Sequence, residues 1–109
     1  MYDFIFSKIM DFDIDQNYYY IKDTLEAPKA AEKLYSELYE KINEIINNPY
    51  KRPLVQDKYL ASLGIRSIKV KNYLLFYKIT EENKMVNILR FLYNKRDWIK
   101  LLKESHLKR

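Results

Sequence analysis

The sequence predicts an α+β domain in the order β-α-α-β-β-β-α, with an N-terminal strand and a helical hairpin packed on a small antiparallel sheet. Three observations carry that prediction. In the first half, apolar residues recur every three or four positions in two stretches that Pro28 separates. In the second half, residues 64–98 hold three strand-like runs, Ile65–Val70, Tyr73–Ile79 and Met85–Tyr93. Only Lys71-Asn72 and Glu81–Lys84 interrupt them, and both suit tight hairpin turns. Finally, 109 residues contain one Gly and three Pro, so most of the chain is regular structure and loops are few.

Each element has a local reason. Tyr2–Ser7 alternates aromatic residues with Asp, Ile and Ser, and reads as a short strand. Asp11–Leu25 places Ile14, Tyr18, Ile21 and Leu25 on one helical face, with Tyr18 towards the core and Tyr19 and Tyr20 at its edges. Pro28 ends that helix and suits the first turn of the next. Lys29–Asn47 then carries Ala31, Leu34, Leu38, Ile42 and Ile45, again three and four apart. The two stripes need a sheet to cover, and the meander supplies it. Asn47-Asn48-Pro49 stops the second helix, and Pro49 and Pro53 break any long element before residue 63. Leu54, Val55, Leu60 and Leu63 predict that this connection is packed down. The meander runs are rich in Ile, Val, Leu, Phe and Tyr. The first strand is expected to join the same sheet, next to the third or the last meander strand. Lys95–Lys108, with Trp98, Leu101 and Leu102 on one side, reads as a closing helix.

Composition narrows the function classes. The length suits a single domain, 1–109, with a real core. Without cysteine there is no disulfide scaffold, no thiol nucleophile and no Cys-ligated metal site, and no cofactor is expected. Asp11, Asp13 and Asp15 alternate, but no calcium-loop glycine or terminal glutamate follows, so they read as a solvated helix start. Gly64 stands alone and forms no phosphate-cradling loop. No basic-flanked leader precedes the first apolar run, and no run approaches a membrane span, so the expectation is a soluble, cytoplasmic chain without a membrane partner. The net charge of +5 fits either a solvated surface rich in Lys or one that meets an acidic partner or nucleic acid, and charge alone does not choose between them.

Asn48-Pro49 with Arg52-Pro53-Leu54-Val55, then Gly64 to Val70, Asn72-Tyr73-Leu74-Leu75-Phe76-Tyr77, and Arg90 through Leu92-Tyr93 to Lys95-Arg96-Asp97-Trp98 together resemble the RelE/ParE superfamily of type II toxins. The resemblance covers nearly the whole chain and implies the same fold. It also implies a bacterial toxin held inactive by a cognate acidic antitoxin. One branch of the superfamily cleaves mRNA on the ribosome, and the other poisons DNA gyrase.

Metal-free RNA cleavage needs a base for the 2′-hydroxyl, cations for the phosphate and an acid for the leaving oxygen. Carried over residue by residue, the ribonuclease branch implies Lys69 and Arg96 as matches. Ser67 replaces a second lysine, Leu74 replaces a phosphate-binding arginine, and Leu102 falls near a tyrosine position. The candidate catalytic set is therefore Arg96, Lys69, Arg66 and Tyr93. Leu74, Phe76 and Lys95 are candidates for partner binding, the first two as an apolar patch on an open sheet face. That patch leans towards the gyrase branch; a basic binding module without toxic activity is the alternative. Structural roles compete at other positions. Arg66 reads alternatively as a cap on the core edge, Arg90 as a salt-bridge partner, Trp98 as a helix anchor, and at least one of Tyr73 and Tyr77 as core. His106, the only histidine, sits near the chain end and is expected to do nothing. A partly disordered acidic peptide that folds on binding would suit the basic meander.

Overall fold

The computed structural model describes residues 1–107. The elements are β1 (Asp3–Phe6), α1 (Lys8–Tyr19), a π-helical turn (Tyr20–Thr24), α2 (Pro28–Asn47), α3 (Lys58–Ser62), β2 (Arg66–Val70), β3 (Tyr73–Thr80), β4 (Met85–Tyr93) and α4 (Trp98–Leu107). The four strands lie in the order β1-β4-β3-β2. The meander is antiparallel, with Val70 opposite Tyr73 and Tyr73 opposite Tyr93. β1 adds to its β4 edge in parallel, Phe4 against Val86, so the sheet is mixed where the sequence predicts an antiparallel one. The side chain of His106 and residue Lys108 lie outside the described residues.

Each helix starts where its chemistry allows. Ser7 caps α1 by accepting the Met10 amide through its hydroxyl at 3.2 Å, so the helix begins ahead of the aspartates. Pro28 opens α2, and Ala31, Leu34, Leu38, Ile42 and Ile45 are buried along one stripe. Burying each of these Leu and Ile side chains contributes about 1.5–3 kcal/mol. The Leu25 amide bonds the Tyr20 carbonyl and the Ala27 amide that of Ile21, both at 3.0 Å. This wider turn shifts the helical phase, which leaves Leu25 exposed rather than in the predicted stripe.

The sheet is covered on both faces. Met10 and Ile14 of α1 and the stripe of α2 pack on Ile68, Val70, Tyr73, Leu75, Tyr77, Val86, Ile88 and Phe91. A second core on the opposite face joins Phe76 and Leu92 to Leu102 of α4 and Leu60 of α3, with Val55 and Ile65. The predicted open face is therefore corrected. Phe76 is fully buried against the Trp98 ring at 5.2 Å, and Leu74 is half-buried beside it. The packed connection supplies α3, whose cap Asp57 bonds the Leu60 amide at 3.0 Å. Lys103 of α4 sits 3.6 Å from that same Asp57.

A bulge between Phe76 and Tyr77 shifts the β3–β4 register, bringing Tyr77 opposite Ile88. Next to it, Arg90 meets Asp13 of α1 in a two-pronged pair, Nε to Oδ2 at 2.7 Å and Nη2 to Oδ1 at 2.8 Å. Asp13 also accepts the Phe91 amide at 3.0 Å. Arg90 is thus the salt-bridge partner its apolar neighbours predict. Asp13 is corrected from a solvated helix start to a buried carboxylate.

At the far end of β3, Glu81 accepts from Tyr50 at 2.6 Å, from Tyr2 at 2.8 Å, and from Lys84. The Lys84 contact, then Tyr50 and Tyr2, hold the Glu81 carboxyl down at about 2. A depressed carboxyl contributes stability above its ordinary range, near 4.5, and loses it as pH falls towards about 2. In a carbon-detected NMR titration the Glu81 carboxyl should therefore show a midpoint near 2. Tyr50→Phe should raise that midpoint; an unchanged one would exclude the Tyr50 contribution.

Candidate functional site

A cleft of about 630 Å³ lies between the π turn, the first turns of α2 and the ends of β3 and β4. Tyr20, Ile21 and Leu34 form its helical wall, and Lys71, Tyr73, Tyr93 and Arg96 form the opposite one. Local geometry places each group. Lys71 adopts the left-handed region, φ 53°, in the two-residue turn that joins β2 to β3. The Asn94 amide bonds the Asn72 carbonyl at 2.8 Å, tying the exit of β4 to that turn. The chain then folds back through Arg96 N–H to the Tyr93 carbonyl at 3.0 Å. Asp97 caps α4, accepting the Lys100 amide at 3.2 Å, so this acid acts at the first turn.

Three tyrosines converge in the cleft. Tyr73 stacks on Phe91, centroids 5.0 Å apart, and meets Tyr93 edge-on at 5.7 Å. Burial, and then the neighbouring Tyr93 and Tyr20, push the Tyr73 phenol up. Tyr20 and Tyr93 are exposed, as is Arg96. Lys71 lies 3.4 Å from Glu37 of α2. The arrangement can hold a planar or aliphatic group between tyrosines with an anion at the Lys71–Arg96 rim.

Of the four predicted catalytic residues, Tyr93 and Arg96 share this cleft. Lys69 is exposed on the edge strand β2, on the α4 side, in the row of Leu74 and Leu92. Two strand spacings place it about 10 Å from Leu92. Arg66 is remote: it pairs with Tyr77, four residues or about 13 Å along β2 from the Val70–Tyr73–Tyr93 row. There its guanidinium donates to the Arg52 carbonyl and lies 5.3 Å from the Tyr50 ring. The structure thus brings Tyr93 and Arg96 together and leaves Lys69 and Arg66 apart from them. Lys95 is exposed beside Arg96, while Leu74 and Phe76 belong to the second core. Tyr77 is also core, its hydroxyl donating to the Pro49 carbonyl at 2.9 Å.

Sequence reasoning misses Tyr20 and Lys71 as cleft residues. Tyr20 reads as the edge of a regular helix, and the π turn that aims this segment carries no compositional mark. Lys71 reads only as a turn residue. Among the described residues, no group of three His, Cys, Asp or Glu is placed to hold a metal ion, and no helix is long and apolar enough to cross a membrane.

The family described as "ParE toxin of type II toxin-antitoxin system, parDE" matches residues 5–98. No curated protein sequence matches. Among solved structures, the chromosomal ParDE system of P. aeruginosa aligns with a TM-score of 0.65 at 17% identity, covering 85% of this chain and 96% of that one. The isolated E. coli RelE toxin aligns at 0.55 and 14% identity, covering 98% and 99%. The intact E. coli RelBE toxin–antitoxin complex aligns at 0.55 and 15%, covering 88% and 100%. At these identities the structural likeness speaks for the fold.

Proposed function

Because this chain belongs to the ParE toxin family of type II toxin–antitoxin systems, we propose that it arrests growth by binding DNA gyrase, without cutting mRNA, and that a cognate acidic antitoxin neutralises it. The observation that carries the gyrase reading is the closed second face of the sheet. Where the ribonuclease branch spreads cations, this chain packs Phe76 against Trp98 and Leu102. Arg66, a cation the ribonuclease reading would need, is committed to the Arg52 carbonyl at the other end of β2. The net charge of +5 supports an acidic antitoxin, with charge complementarity speeding its association.

One observation favours ribonuclease activity as the second reading. Tyr93 and Arg96 share their cleft with Tyr20 and Lys71, an acid–base and phosphate-binding set in a rearranged site.

Inducible expression in a bacterial host, wild type beside Arg96→Ala, separates the readings. Growth arrest with intact mRNA, DNA breaks and altered plasmid supercoiling is the expected result. Arrest with cut mRNA, abolished in Arg96→Ala, would replace the gyrase reading with the ribonuclease one. Absence of arrest would leave a binding module of this fold. For the antitoxin, raising salt should lower the association rate; an unchanged rate would remove the electrostatic part.

A further inference from the structure

The charge of the chain is divided. Residues 1–27 carry six Asp and Glu against two Lys, whereas residues 28–109 carry nine Asp and Glu against eighteen Lys and Arg. The acidic part coincides with an unusual aromatic surface. Six rings touch in succession across β1, α2 and α1: Phe4 and Phe6 at 5.6 Å, Phe6 and Tyr39 at 6.3 Å, Tyr39 and Tyr35 at 5.1 Å, Tyr35 and Tyr18 at 6.1 Å, and Tyr18 and Tyr19 at 5.2 Å. Phe4, Tyr39, Tyr35 and Tyr19 are each more than a third exposed. The row continues into a shallow cleft on the outer side of α1, lined by Phe12, Tyr19, Asp15 and Asp23 and about 480 Å³ in volume. Phe12, at 59% exposure, is among the most exposed large apolar side chains of the protein. This shallow cleft shares Gln16 and Tyr20 with the candidate site, whereas the six-ring row and Phe12 do not line that site.

We infer that this aromatic surface of α1 and α2 docks an arginine-bearing segment of a protein partner. Tyrosine faces attract cations, and the flat guanidinium stacks on a ring while pairing with a carboxylate at its edge. Alternating rings and carboxylates along one helix face offer both contacts at once. Lys22 provides an internal precedent: its ammonium lies 5.6 Å from the centre of the Tyr19 ring. Electrostatics along the row agree. Burial, a hydrogen bond with Tyr35 and the nearby Asp11 charge push the Tyr39 phenol up to about 12. Nucleic acid and acidic peptides would meet the Asp11, Asp15 and Asp23 carboxylates with like charge. The surface therefore selects the opposite kind of partner from the acidic antitoxin. The inference is independent of whether the toxin acts on gyrase or on mRNA.

The test is a titration of isotope-labelled full-length protein with peptides of about twelve residues alternating glycine with arginine, lysine or glutamate, followed by amide chemical shifts. The arginine peptide should perturb α1 and the Tyr35–Tyr39 turn of α2, and bind about two- to fivefold tighter than the lysine peptide. Tyr19→Ala leaves the charge unchanged and should weaken binding about two- to fivefold. Asp15→Asn with Asp23→Asn should weaken it by a similar factor and flatten its salt dependence. Both variants alter exposed side chains, and circular dichroism should show them folded. Four outcomes would overturn the inference: shifts confined to the Tyr93–Arg96 cleft, equal binding of the glutamate peptide, indifference to Tyr19→Ala, or a concentration-dependent homodimer seated on this face.

Discussion

Asp13→Ala is expected to destabilise the protein by about 3–5 kcal/mol, the cost of leaving one member of a buried ion pair alone. Asp13 and Arg90 are 2% and 5% exposed, so water cannot take the place of the lost carboxylate. The substitution removes two charge-assisted bonds to Arg90 and the acceptor for the Phe91 amide. Arg90 would retain the Ser105 hydroxyl at 3.1 Å, a neutral partner that cannot balance its charge. Urea unfolding should report the loss as a lower midpoint with an unchanged slope. Asp13→Leu combined with Arg90→Met should recover most of it, because apolar pairs of similar volume replace buried ion pairs at little cost. If Asp13→Ala shifted stability by less than about 1 kcal/mol, the pair would have the weight of an exposed one.

Asp13 also marks a boundary between what sequence does and does not reveal. On paper it is one of three alternating aspartates in a helix's first turns, and nothing distinguishes it from Asp11 and Asp15. Its burial comes from contacts made across the fold, with Arg90 and the Phe91 amide of β4, next to the β bulge at Phe76. Bulges follow from sheet geometry and leave no residue signature here, since neither glycine nor a turn residue sits at this one. By contrast, β4 is legible to its last residue, because Met85–Tyr93 is apolar or aromatic at every position but Asn87 and Arg90 and lies between two polar breaks. The α2 stripe is legible for the same reason, as five residues at helical spacing all reach the core. Tyr93 and Arg96 are readable as neighbours because only Asn94 and Lys95 separate them in a turn. Their meeting with Tyr20 is not, since it depends on a π turn more than seventy positions away.

The second large effect concerns the face that sequence leaves open. Strand alternation correctly places Leu74 and Phe76 on the side away from α2, but periodicity within one strand cannot say what lies across from it. The closing helix does, through Trp98 and Leu102, with α3 contributing Leu60. Phe76→Ala should therefore cost about 3–5 kcal/mol, the range for emptying a fully buried aromatic site. The loss should fall on α4 first. Among the described residues, the second core is the main apolar anchor of this helix, beside the Arg90–Ser105 hydrogen bond and the contacts of Lys103 with Asp57 and Tyr59, so losing the Phe76–Trp98 contact loosens it first. Amide exchange should show α4 losing protection ahead of β3 and β4, and Trp98 fluorescence should shift to the red. Leu74→Ala, at a half-buried position, should cost less. The alternative is sharply different: if Leu74 and Phe76 formed a partner-binding patch on an exposed face, Phe76→Ala would leave the urea midpoint and the α4 amides unchanged while reducing affinity for a partner. Measuring stability and amide exchange on the same variant decides whether this phenylalanine serves the fold or an interface.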